Sequence, residues 1–256
     1  MDRFTTDNVD VATEDDVVTL TITRPESRNS MNTDTVLDLL RALNAVELDS
    51  DVVAVVLTGE GDRAFSSGAD IAQHAGPADE QFQKTRNAIT YDLYTRIREL
   101  HPPVIARING HCVGGGLGLA IYSDVRVGVP GAKFGIPPVN IGEIPTAGAT
   151  HRLVELIGEP RTKELVLTAT LVDGERALRM GLIDRLVEPD ELDAEVETLL
   201  DRIREAGPNA VENAKRLINR AADTDRDEAR DAEVELWWDQ FDSEERRRLV
   251  DEFMED

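Results

Sequence analysis

Three consecutive glycines, Gly114, Gly115 and Gly116, stand within "RINGHCVGGGLGLAIYSDVRVG" (residues 107–128). An ordered glycine costs conformational entropy, so a run of three between an apolar stretch and the start of a helix implies that backbone must come close to something. A Walker phosphate loop needs Lys and then Ser or Thr after its glycines, whereas Leu117, Gly118 and Leu119 follow here. A dinucleotide fingerprint counted from Gly114 needs a small residue where Leu119 stands, and one counted from Gly116 needs it where Ile121 stands. Two readings remain. The glycines permit a tight strand-to-helix turn with close packing, or they form half of an oxyanion hole. In the second case a helix beginning near Gly115 offers unpaired N–H groups and the positive end of its dipole. It needs a partner N–H from another loop of small residues, and "FSSGADI" (65–71), just after an apolar run, has that character. Such a pair would hold a carbonyl oxygen that becomes negative during reaction, each donor contributing roughly 3–4 kcal/mol in the transition state.

These loops need elements to position them. "VVTLTIT" (17–23) alternates and predicts a strand, and "RPESRNSMN" after it a loop. Asn32 is placed to cap a helix from about Thr33 to Leu48, with Val36, Leu39, Leu40, Leu43 and Val46 on one face. "VVAVVLT" (52–58) and "VIARI" (104–108) are apolar, β-branched runs that predict buried strands, and "DVRVGV" (124–129) a further short one. Between them residues 79–100 predict a helix that stops at His101-Pro102-Pro103. This alternation predicts an α/β fold with parallel pairing. From Thr146 onward the pattern is almost wholly helical. Trp237, Trp238, Phe241, Leu249 and Phe253 near the end either cap the chain's own core or dock on a neighbouring subunit.

The chain has 256 residues, 51 acidic and 28 basic, with a formal net charge of −23. Nucleic-acid binding is not expected, because phosphate backbones require a basic footprint. Acid spread evenly along the chain suits a cytoplasm of high ionic strength, where charge is screened within a few ångströms. One cysteine, Cys112, excludes an internal disulfide framework and fits a reducing, cytoplasmic setting. The first residues lack the basic-then-apolar order of a secretion signal, and no membrane span is expected. The four histidines are scattered, so no metal site is expected, and no G-x-S-x-G elbow occurs.

The pairing of "AFSSGADI" with "PPVIARINGHCVGGGLGLAIYSDVRVG" resembles the crotonase (enoyl-CoA hydratase/isomerase) superfamily. So do "RPESRNSMN", "FGIPPVNIGEIPTAGATHRL" (134–153) and "ALRMGLIDRLVEPDEL" (177–192), in the right order from residue 16 to about 220. The resemblance implies a crotonase-like spiral of ββα turns over residues 1–195, carrying an acyl-CoA site, followed by a helical trimerisation region over 196–256. It implies an enzyme, a lyase or an isomerase, that stabilises the enolate of an acyl-CoA thioester between the backbone N–H groups of Ala69 and Gly115. It also implies a homotrimer or homohexamer, and no cofactor beyond the CoA moiety of the substrate. Ala64, Ser66, Ser67 and Ala69 fall where relatives wrap the adenine of CoA, and Arg28, with Arg24 nearby, where they often carry a cation for its phosphates. A surface ion pair is the plainer reading of Arg28.

The departures from the family pattern bear on the reaction. The two hydratase glutamates of the resemblance are replaced by Gly118 and Pro138. Glu143 in "NIGEIPTAG" is the candidate substitute, a solvated loop acid being its plainer reading, and Thr146 stands where some relatives have aspartate. His74 and His111 are weaker candidates for a base, since a packed or solvent-exposed histidine is the commoner case. Cys112 reads as buried filler, and Asp70 and Asp124 as structural. With one carboxylate, isomerisation is chemically easier than water addition, and a non-catalytic acyl-CoA-binding or assembly subunit is the alternative.

Overall fold

The structure, a computed structural model, describes residues 4–74 and 79–255, without the side chains of Phe4, Thr5, His74 and Asp223. Strands β1 (Phe4–Thr5), β2 (Val9–Glu14) and β3 (Val17–Ile22) form an antiparallel meander. The β2–β3 turn is only two residues long, with Asp15 in a left-handed conformation (φ 52°) that Asp tolerates. Helix α1 (Thr33–Glu47) follows, and the Asn32 side chain accepts from the Thr35 N–H as its cap.

Three units of the same design come next. Each runs from a strand of the large sheet to a short strand of a second sheet and then to a helix. The first is β4 (Ala54–Gly59), β5 (Ala64–Ser66) and α2 (Glu80–Glu99); the second is β6 (Val104–Ile108), β7 (His111–Val113) and α3 (Gly115–Tyr122). The third is β8 (Val125–Gly128), β9 (Phe134–Gly135) and α4 (Ala149–Leu167), the last kinked at Gly158 (φ 77°) just before Pro160. The large sheet is ordered β1-β2-β3-β4-β6-β8-β10, where β10 is Arg185–Leu186, and every pairing from β3 to β10 is parallel. The small sheet, β5-β7-β9, is parallel throughout. This is the expected mixed α/β spiral. All six residues of β4 are buried, as its uninterrupted apolar run requires of a strand covered on both faces.

Helix α5 (Gly174–Met180) precedes β10, and α6 (Leu192–Glu205), α7 (Pro208–Asp223), α8 (Arg226–Phe241) and α9 (Glu244–Glu255) complete the chain. The boundary expected after residue 195 falls inside α6, which buries Leu192, Val196, Leu199 and Leu200 in the main core. The chain's punctuation, Gly207-Pro208, lies at the start of α7 instead. Helix α7 docks on the same subunit through polar contacts: Lys215 Nζ donates to Pro102 O (2.9 Å) and pairs with Asp124 (2.7 Å). Asp124 also accepts from the Val104 N–H at 2.7 Å, which ties β6 to the start of β8. Burial pushes the Asp124 carboxyl up and the Lys215 ammonium down, and their pairing opposes both shifts.

The C-terminal aromatics do not cap the chain's own core. Trp237, Trp238 and Phe241 pack against one another, Trp238 stacking on Phe241, and stay 57%, 58% and 40% exposed, while α8 buries only Ala232 among its described side chains.

Candidate active site

Because β5 and β7 are parallel neighbours, their carboxyl ends lie side by side, and the loops that leave them converge. Gly68 takes a φ of +94°, and a Cβ there would lie 2.7 Å from Gly115 N and 2.8 Å from Val113 O. Only a residue without a side chain lets the two backbones approach this closely. Gly68 O accepts from Met31 N at 2.7 Å, and Asp70 N donates to Met31 O at 2.9 Å. That parallel bridge leaves the N–H of the intervening Ala69 directed away from Met31. Gly115 is the first residue of α3, and the intrahelical ladder begins only at Gly118 N, which donates to Gly114 O (3.1 Å). Among the described residues, no protein acceptor meets the Ala69 or the Gly115 N–H. A Cβ built on Gly115 would lie 3.5 Å from Ala69 N, and both residues line one cavity of about 740 Å³. Two free amides beside one cavity can hold an oxygen that gains negative charge.

Tyr94 of α2 reaches the same place. Its hydroxyl donates to Gly115 O at 2.9 Å, and its ring stacks on Tyr122 with centroids 5.3 Å apart. Burial pushes the Tyr94 phenol well above its ordinary value, so it is a hydrogen-bond donor and not an anion. A Cβ on Gly118 would fall 2.3 Å from the Tyr94 hydroxyl, so any side chain at 118 competes with that ring for space. Pro138 lines the cavity from a short 3-10 turn, Pro138–Ile141.

The cavity's far wall is polar. Glu143 and Thr146 both line it from the loop ahead of α4, and both are exposed at its rim. Gln83, Arg86, Asn87 and Thr90 of α2 line the same cavity. Burial lowers the Arg86 guanidinium, and the nearby Glu143 carboxylate raises it again. The Asn87 side chain accepts from Ala147 N at 3.2 Å and so ties the loop to the helix.

The other expected site residues separate by location. Ser67 lines the cavity, with its N–H donating to Arg28 O (3.0 Å) and its hydroxyl to Ser27 O (3.2 Å). Ala64 and Ser66 are buried outside its lining: Ala64 O accepts from the Asn29 amide (2.7 Å), while the Ser66 hydroxyl donates to Asn29 O (2.7 Å) and accepts from Gly68 N (3.2 Å). Their contribution is to hold the loop that presents Ala69. Arg28 is exposed in a left-handed conformation (φ 57°) and makes no ion pair among the described residues, unlike Arg24, which pairs with Asp70 at 3.0 Å. Asp70 thus braces its loop. His111 does not line the cavity, and its Nδ1 accepts from Lys133 N (3.1 Å), so it is no pocket base. The side chain of His74 lies outside the described residues. Cys112 is fully buried, and burial pushes its thiol up, which makes it inert filler.

The sequence reading missed Tyr94 and Arg86, although a signal was available. Residues 83, 86, 90, 93, 97 and 100 recur at helical spacing; the stripe is Gln, Arg and Thr in its first half, and Leu, Ile and Leu in its second. A buried helix face that turns polar over one end marks where that face leaves the core for a cavity.

Comparison with known proteins places the chain in a family. A sequence model of the enoyl-CoA hydratase/isomerase family matches residues 12–256. The chain is 35% identical to the short-chain-enoyl-CoA hydratase of Clostridium acetobutylicum, over 97% of this chain and 95% of that one. It is 34% identical to the crotonyl-CoA hydratase of Syntrophomonas wolfei, with the same coverage of 97% and 95%. Its fold superimposes on the crystal structure of an enoyl-CoA hydratase from Bacillus anthracis with a TM-score of 0.93 at 29% identity, covering 97% of this chain and 96% of that one. The chain belongs to the enoyl-CoA hydratase/isomerase family, whose members act on acyl-CoA thioesters. It is an enzyme of the lyase or isomerase kind. No described helix is long and apolar enough to cross a membrane.

Proposed function

We propose that this enzyme binds an acyl-CoA with its thioester oxygen between the Ala69 and Gly115 N–H groups, and that Glu143 moves the proton. One observation carries the reading. The cavity that both free amides border has a single carboxylate among its described lining residues, Glu143. Loss of a proton next to the thioester carbonyl leaves an enolate whose charge lies on the oxygen, where two fixed donors stabilise it. Glu143 takes that proton and returns it to another carbon, which shifts the double bond. Hydration in the family pattern uses two carboxylates around the water, and those positions are Gly118 and Pro138 here. Isomerisation is therefore favoured over ordinary hydration. Thr146 orients the acyl group or a water molecule, and Arg28 and Ser67 meet the CoA moiety.

The exposed aromatic cluster of α8 supports assembly through the C-terminal helices, as a homotrimer or homohexamer. The charge of −23 supports a cytoplasm of high salt, and the subunits should separate as salt is lowered. A solution mass that stays constant on dialysis to low salt would contradict that.

The deciding experiment offers a panel of CoA esters and follows mass. Constant mass with a moved double bond supports isomerisation, gain of water means hydration, and loss of carbon dioxide means decarboxylation. Binding of every ester with no change in any would mean a non-catalytic binder. Glu143→Gln should lower turnover by about tenfold or more while CoA-ester affinity is retained. Unchanged turnover would remove Glu143 from its role.

A further inference from the structure

We infer that Arg86 is the positioning residue for Glu143, fixing the direction of its carboxylate in the cavity, an inference that rests on the reading of Glu143 as the proton carrier. Three observations of geometry carry it. Arg86 and Glu143 border the same cavity, Arg86 from α2 and Glu143 from the loop ahead of α4. Among the described lining residues they are the only cation and the only carboxylate. The helical turn that carries Arg86 is itself fastened to the Glu143 loop, since the side chain of Asn87 accepts from Ala147 N at 3.2 Å. Ala147 sits in a left-handed conformation (φ 53°), which a residue with a Cβ seldom adopts, so this bond holds a loop shape the chain would not otherwise favour. The other end of the loop is held by Glu143 N donating to Pro138 O at 3.1 Å.

Two held ends fix the backbone of Glu143, but not the side chain, which could still turn to solvent. The guanidinium supplies what the loop lacks. It draws the carboxylate inward, and the interaction strengthens when an acyl chain displaces water from the cavity. The Glu143 carboxylate raises the Arg86 guanidinium that burial lowers, which agrees with this closeness. The remaining titratable group facing the space is Tyr94, held neutral by burial; the described lining residues from α1, from the Ala69 loop and from the glycine turn carry no charge.

The test compares kcat and KM of the wild type, Arg86→Gln and Arg86→Lys, with but-2-enoyl-CoA and hex-3-enoyl-CoA as probes. A misdirected proton carrier slows the chemical step and leaves ester binding alone. Arg86→Gln should therefore lower kcat by about tenfold with KM within about twofold, and Arg86→Lys should restore most of kcat. In the double variant Arg86→Gln, Glu143→Gln the two losses should not add, because the arginine acts only through the carboxylate. Circular dichroism and melting of each variant confirm folding, and the lysine variant keeps the test open if the glutamine variant is unstable. An unchanged kcat, a loss confined to KM, or losses that add in the double variant overturn the inference while Glu143→Gln still lowers turnover. If Glu143→Gln leaves turnover intact, the reading of Glu143 fails first and by itself.

Discussion

The two sides of the cavity are built on different principles. On one side the Ala69 and Gly115 amides are main chain, set by parallel strands β5 and β7 and by a contact so close that Gly68 admits no side chain. On the other side Arg86, Asn87, Glu143 and Thr146 are half-buried or exposed side chains on a helix face and a loop. The first side cannot change without disturbing the core, whereas the second can be rewritten one residue at a time. The part of the reaction common to a family belongs on the rigid side, and the part that differs on the adjustable one.

The sharpest way to break this contrast is to alter the rigid side by one methyl group. Gly68→Ala puts a Cβ 2.7 Å from Gly115 N at a φ of +94°, so it should move one of the two donors. Turnover should fall by roughly 10²–10³-fold, as for loss of an oxyanion donor. A steady-state assay showing wild-type kcat would mean that the two amides do not share an oxygen.

Gly118→Glu tests whether the missing carboxylate can simply be restored. Its Cβ would meet the Tyr94 hydroxyl at 2.3 Å and the ring carbon behind it at 2.4 Å, so the change overpacks the core. A loss of about 1–3 kcal/mol in denaturant unfolding is expected, with no gain in hydration. A single variant that is as stable as the parent and hydrates faster would show that Tyr94 does not hold that place.

The adjustable side should respond more gently. Asn87→Ala frees the Ala147 N–H and loosens the Glu143 loop, and the loss of one partly exposed hydrogen bond should lower kcat by about three- to tenfold. An unchanged kcat would mean that the loop is held elsewhere. The smallest effect belongs to Arg28, which is exposed and makes no ion pair among the described residues. Arg28→Ala should raise KM for CoA esters by about two- to fivefold at low ionic strength and hardly at all at high salt, with kcat constant. A changed kcat would place Arg28 closer to the reacting atoms than the CoA phosphates are.

The amino-acid sequence by itself determined the scaffold. Continuous apolar runs give β4 and β6, because a strand covered on both faces buries nearly all of its residues, all six in β4 and all but Arg107 in β6. The Asn32 cap and the 3–4 spacing after it give α1, and the glycines of 114–116 announce a close approach of backbone. These features are local, so they can be read along the chain. The second, three-stranded sheet could not be read this way, since β5, β7 and β9 are two or three residues long and find their partners in distant parts of the chain. Nor could the convergence of Arg86 and Glu143 on one cavity, since they lie 57 residues apart in sequence. Tertiary structure alone decided that Ala64 and Ser66 support the loop from inside, that His111 points elsewhere, and that the aromatic face of α8 stays open. Each of these depends on which surfaces meet, a property of the packed chain that no window of neighbouring residues contains.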